Sequence, residues 1–317
     1  MILKFSAYIA GGLTVFILNI LYFTAIIRTK VNRERYGLTG MEFFADALMG
    51  FSIALAGGTR IVQIFMGSQN DTFSRLICVV MPHNVFLAWT EPMTAISMLL
   101  VSIDRIISVG KPILYYKNML NIQHYLIIGS NLSILLLISS SIICSYLNNI
   151  RVNAFCWTPN SRCPIFNRLF YGVRISAAAG SVTLYIITLF IVRRYTRRIK
   201  EEQNYGSIKI SKRQLNFTKT VGLSCFVTAS LYILPMIVAF FETSNEIIPN
   251  SVYSTIIIIS CLNSFSKAII FGYRTYEIRE AVIDLMPGVF RKFGIHRPET
   301  ANVIDFKTHP IRQTTGF

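Results

Sequence analysis

The sequence predicts an all-α membrane protein, a seven-transmembrane helix bundle with an amphipathic eighth helix on the cytoplasmic side. Three observations predict it. Seven apolar stretches, at 5–27, 41–66, 76–103, 122–147, 168–192, 218–241 and 251–273, each reach the ~20 residues that carry an α-helix across ~30 Å of hydrocarbon. Residues are 53% hydrophobic and only 15% charged, too little polarity for an ordinary wet surface. Basic residues crowd into alternate connections. Backbone polar groups in lipid must be satisfied within the segment, so stretches of this length are helices rather than strands.

Of 31 Lys and Arg, 23 fall on one side: four in the first connection, three in the third, nine in the fifth and seven in the tail. The other side carries Lys4, Arg75, Arg151, Arg162 and Arg168, and Arg60, Arg174 and Lys267 lie within spans. The positive-inside rule then puts the N-terminus outside and the C-terminus in the cytosol, at the plasma membrane. The net charge of +16 therefore reads as basic loops against an anionic inner leaflet. Lipid is the expected partner and nucleic acid is not.

Span one begins within five residues of Met1 and is expected to act as its own insertion signal. Residues 1–290 form one helical bundle without internal repeats, and 291–317 form a cytoplasmic tail expected to be disordered. Cys144, Cys225 and Cys261 lie within spans and read as small core residues. Cys78 opens span three on the oxidising side, where Cys156 or Cys163 of the second outer loop is expected to bond it, Cys156 by preference. Asn70 heads an Asn-Asp-Thr glycosylation sequon in the first outer loop. Beyond span seven, Ile278, Ala281, Val282, Leu285 and Met286 recur at helical spacing, which makes the amphipathic helix; Pro287-Gly288 ends it.

Catalytic chemistry is not in view. His83, His124, His296 and His309 are scattered, no nucleophilic or paired-carboxylate set falls at one depth, and there is no nucleotide loop. No enzyme, metal or cofactor is expected. The repeated charges or broken half-helices of pores and pumps are missing too.

The inner end of span three carries Ser102-Ile103-Asp104-Arg105-Ile106, then Lys111-Pro112-Ile113-Leu114-Tyr115-Tyr116. Together these resemble the Asp-Arg-Tyr signature and following loop of rhodopsin-like G-protein-coupled receptors. Asn19, the Phe44-Ala45-Asp46-Ala47-Leu48 run and Pro235 match that superfamily's conserved positions in helices one, two and six. In span seven, Asn263-Ser264-Phe265-Ser266-Lys267-Ala268-Ile269-Ile270-Phe271 matches its Asn-Pro-x-x-Tyr region with departures: Lys267, Ala268 and Phe271 replace asparagine, proline and tyrosine. Ile233 stands where the helix-six tryptophan is usual. These departures, and the ending from Gly272 to Ala281, are similar to nematode serpentine chemoreceptors, the Srsx and Srxa classes among them.

The resemblance implies a chemosensory receptor, also compatible with sensory cilia, that binds a small molecule in its outer half and activates a heterotrimeric G protein at its inner face. It implies G-protein coupling through Asp104, Arg105, Pro112 and Tyr115. It implies a ligand pocket at Leu87, Glu91, Arg174 and Ile233, with Glu91 and Arg174 approaching across the bundle. It implies an internal polar switch of Asn19, Asp46, Thr94, Asn263 and Lys267, with Lys267 paired to Asp46 in place of a sodium ion. Pro235 would kink helix six. Leu215 stands where many relatives carry the helix-six acid that locks the arginine. A ligand-gated channel or transporter is the alternative, as is a retinal-binding opsin. Lys267 lies six residues, about 9 Å along a helix, deeper than an opsin lysine.

Overall fold

The computed structural model describes residues 1–68, 71–201, 222–223, 226–242 and 250–285. Asn70, Leu215, Cys225, Met286, Pro287-Gly288 and the tail lie outside the described residues. The chain is an all-α membrane bundle. Six helices are long and apolar enough to cross a membrane, and a seventh apolar helix, Phe226–Phe241, is shorter within the described residues.

Span one is Ile2–Arg28 and span two runs from Lys30 to Phe65. The first connection, expected as a loop from about 28 to 40, is therefore mostly helix. Only Thr29, whose side chain accepts from Asn32 N–H, and a non-helical residue at Tyr36 interrupt it. Hydropathy marks where lipid ends; it does not stop a helix of Arg and Glu from continuing into water. The third connection behaves alike. Span three has a short outer helix, Arg75–Val80, then Pro82–Gly110; after Lys111 alone, span four begins at Pro112 and runs to Leu147. Pro112 and Pro82 both sit at helix starts, where the missing N–H costs nothing.

Spans one and two touch backbone to backbone. A Cβ placed on Gly12 would lie 2.5 Å from the Gly50 carbonyl oxygen and 2.7 Å from the Ala54 nitrogen. One on Gly57 would lie 2.8 Å from the Phe5 carbonyl oxygen. Helices in lipid gain little from apolar burial against each other, so close approach through small residues supplies the contact.

Span five is Pro164–Glu201 and span seven Asn250–Arg274. In span six a π-helical turn, Ala229–Ile233, precedes the α-helix Leu234–Glu242. Pro235 stands just after that turn: its ring and missing N–H disturb the backbone bonding one turn earlier. The amphipathic helix, Tyr276–Leu285, buries Ile278 and Val282 against Ala25, Ile26, Tyr36 and Phe271 at the inner end of the bundle. Its Glu277 accepts from Arg35 Nη1 at 3.0 Å and from the Tyr36 hydroxyl. On the opposite face, β1 (Thr72–Ser74) pairs antiparallel with β2 (Arg151–Asn153), Phe73 facing Val152.

Candidate functional site: two buried ion clusters and an inner switch

In the outer half, span three presents Glu91 and span five presents Arg174, and Arg174 Nη1 reaches Glu91 Oε2 at 3.1 Å. Tyr232 of the π-turn binds both: its hydroxyl accepts from Arg174 Nε at 2.8 Å and donates to the Glu91 carbonyl at 3.1 Å. Leu87, one turn above Glu91, and Ile233 lie in the same apolar cluster as Tyr232, Trp157 and Met236. Glu91 and Arg174 thus meet at Tyr232, and Leu87 and Ile233 belong to the apolar cluster that contains it.

One partner there was not foreseen. Arg162, counted above as an outer-loop charge, is 4% exposed and puts Nη1 3.4 Å from Glu91 Oε2. Its guanidinium also stacks over Phe170 at 4.3 Å. Arg60 is fully buried, 4.0 Å over the Trp157 ring, and its Nε donates to the Phe155 carbonyl.

The loop carrying Arg162 and Trp157 is tied down twice. Cys78 bonds Cys156, with Cα atoms 5.1 Å apart. Cys163 bonds Cys144, at 6.3 Å, which corrects the reading of Cys144 as an apolar filler. Cys144 lies one turn from the end of span four that leads into this loop, within reach of Cys163. Asn84 adds a polar anchor, donating to the Cys78 and Cys156 carbonyls at 2.8 and 3.0 Å and accepting from Thr158 at 2.7 Å.

Deeper in the bundle, Lys267 Nζ lies 2.6 Å from Asp46 Oδ2. It lies 3.0 Å from Glu42 Oε1 as well, a carboxylate the sequence reading did not single out. Thr94 donates to Asp46 Oδ1 at 3.1 Å. The Lys267 side chain is 1% exposed, so it stays inside and does not reach down to the interface. Two members of the expected switch are engaged elsewhere. Asn19 is buried but donates to its own helix at the Val15 carbonyl, and Asn263 accepts from Thr228 of span six at 3.1 Å. Asn263 sits one turn above Lys267 and faces span six, not the ion pair.

At the inner end of span three, Arg105 Nη2 pairs with Asp104 Oδ2 at 2.8 Å, and the Tyr115 hydroxyl donates to Asp104 Oδ1 at 2.6 Å. Asp104 is thereby shared between a neighbouring arginine and the start of span four. Pro112 opens that helix.

A family model described as serpentine type 7TM GPCR chemoreceptor Srbc matches residues 1–163, just over half of the 317. The matched stretch holds Glu42, Asp46, Glu91, Asp104, Arg105 and all four bridged cysteines; it ends before Arg174 and Lys267. It also ends before the segment similar to the Srsx and Srxa classes. No curated protein matches the chain.

Proposed function

The chain belongs to the serpentine 7TM chemoreceptor family Srbc, and from that premise we propose that it is a G-protein-coupled chemosensory receptor of the plasma membrane. A small ligand binds in the outer half, at Leu87, Glu91, Arg174 and Ile233, and a heterotrimeric G protein engages Asp104, Arg105, Pro112 and Tyr115 at the cytoplasmic face. The basic inner connections support an outside N-terminus. The observation that carries the reading is Tyr232. It joins Glu91 of span three to Arg174 of span five from the π-turn just before Pro235, so a ligand that competes for Arg174 acts on span six at its hinge. Such a ligand changes the resting state only by binding the active arrangement better. The Asp104–Arg105 pair then opens toward the G protein. Lys267 is committed to two carboxylates, which counts against a retinal linkage at its amine.

A panel of small volatile and water-soluble compounds, read by a second-messenger reporter, tests this. An agonist response that vanishes in Arg105→Ala at equal surface expression is the expected result. Ligand-gated current in cells lacking G-protein signalling would overturn it.

A further inference from the structure

The two bridges of the second outer loop differ in how they meet solvent. Cys78 and Cys156 are 0% and 1% exposed, and Asn84 donates to both of their carbonyls, so that bridge is sealed inside the bundle. Cys163 is as deep, at 2%, but its partner Cys144 is partly exposed, one turn before the exposed Asn148 and Asn149. Thiol–disulfide exchange needs an attacking thiolate to reach one sulfur, so access separates the two bridges. Both sulfurs of the reachable bridge also face donors. The Ser145 hydroxyl lies 3.9 Å from Cys163 Sγ and the Asn148 amide 3.7 Å from Cys144 Sγ. A small void with room for about one water is lined by Ser141 and Ile142, just before Cys144, and by Ser161 and Arg162, just before Cys163. The loop therefore has slack beside the point where Arg162 meets Glu91.

We propose that the Cys144–Cys163 bridge is an exchange site for small-molecule thiols, and that opening it unseats Arg162 from Glu91. The thiolate of such a thiol attacks Cys144 Sγ. The protein S–S bond breaks, and Cys163 leaves as a thiolate that takes up a proton; the Ser145 hydroxyl stabilises the charge as it forms. A second thiol attacks the small molecule's sulfur in the mixed disulfide and frees Cys144. Two small thiols thereby become one disulfide while the bridge becomes two protein thiols. Cys163 stands between Arg162 and Pro164, where span five starts. Once freed, this junction no longer fixes the depth at which Arg162 Nη1 lies 3.4 Å from Glu91 Oε2. Glu91 then keeps Arg174 alone. The effect on signalling rests on the receptor reading; the exchange chemistry does not.

The test uses the full-length receptor purified in neutral detergent, with reduced glutathione as the probe. Pulsed alkylation with mass mapping is expected to label Cys144 and Cys163 about tenfold faster than Cys78 and Cys156, since access sets the exchange rate. Tm should fall to that of Cys144→Ser. Amide exchange should rise across 157–163 and not across 42–46, and oxidised glutathione should reverse both changes. Cys144→Ser, which already lacks the bridge, should show no further fall at the same dose. Equal labelling of the two pairs, or earlier labelling of Cys78 and Cys156, would overturn the proposal without any variant having to fold. A fall in Tm without faster exchange at 157–163 would overturn the link to Arg162. In the reporter assay, an agonist from the compound panel should lose potency in glutathione on the native chain and not on Cys144→Ser. Selective opening with unchanged potency would sink the link to the outer site and leave the receptor reading standing. Silence of every compound in every form would sink the receptor reading and leave the exchange to be decided by labelling and Tm.

Discussion

The bundle holds two buried ion clusters of opposite sign. The outer one sets two arginines against one carboxylate; the inner one sets Lys267 against two, Glu42 and Asp46. Their construction differs as well. Every inner member comes from a span, so the packing of helices against one another brings them together. One outer member, Arg162, comes from a loop and depends on two disulfides and Asn84 for its depth. Arg162 of the outer cluster borders a small void with room for about one water, whereas Asp46 and Lys267 are sealed to within 1% exposure. An ion cluster that must change partners is expected where an outside molecule can reach it. One that holds three helices in register is expected where nothing can.

The sharpest break is Lys267→Asn. It strands two carboxylates in the bundle, and removal of one partner from a buried pair costs roughly 3–5 kcal/mol. Surface expression and Tm should collapse. Adding Asp46→Asn does not restore them, because Glu42 remains; adding Glu42→Gln to that double variant should. Recovery already in the double would show that Glu42 is no member of the cluster.

Cutting the Cys144–Cys163 bridge with Cys144→Ser comes next. A bridge closing a short loop contributes about 2–4 kcal/mol. Its effect should fall on the outer cluster alone: lower Tm and weaker agonist potency, with the Lys267 variants' rank order unchanged. Mass mapping of a non-reduced digest checks both bridges, and free thiols at all four positions would undo this account of Arg162.

What could be foreseen follows the same division. The spans were legible because hydrocarbon imposes a length on apolar runs. Asp46 and Lys267 were legible because charges inside spans at matched depth need each other. Glu42 carried a usable signal that was passed over: it lies four residues before Asp46, hence on the same helix face. Arg162 carried none. Its depth is set by how the loop folds, and Cys144, the residue that would have disclosed a second tether, looks in sequence like any small core side chain. The helical inner connections were hidden for another reason, since hydropathy falls there while helix propensity does not.

A smaller effect is expected at the inner surface. Glu277→Gln weakens the contacts from Arg35 and Tyr36 that hold the amphipathic helix to the first connection. The Arg35 side chain is 46% exposed, so water screens the pair and the loss should stay below about 1 kcal/mol. Faster amide exchange across 276–285 with unchanged ligand affinity is the expected result. A change in affinity would mean that this contact reports to the outer cluster.

The smallest effect is the most diagnostic of the inner cluster. In the superfamily this chain resembles, the helix-two aspartate often shares its cavity with sodium. Here the Lys267 ammonium lies 2.6 Å from Asp46, and Thr94 takes the other oxygen. A sodium ion would have to displace an ammonium that is covalently tethered and therefore at very high local concentration. Exchanging sodium for choline at constant ionic strength should leave Tm and agonist affinity unchanged. Holding ionic strength fixed matters, because surface pairs such as Arg35–Glu277 respond to screening and would otherwise confuse the readout. The Lys267→Asn, Asp46→Asn, Glu42→Gln variant supplies the control, since it lacks all three charges and should be equally indifferent. A sodium-specific rise above about 2 °C in the native receptor, absent from that variant, would show that the surplus carboxylate recruits an ion after all. The inner cluster would then be a second site open to exchange, and the contrast with the outer one would be of sign only.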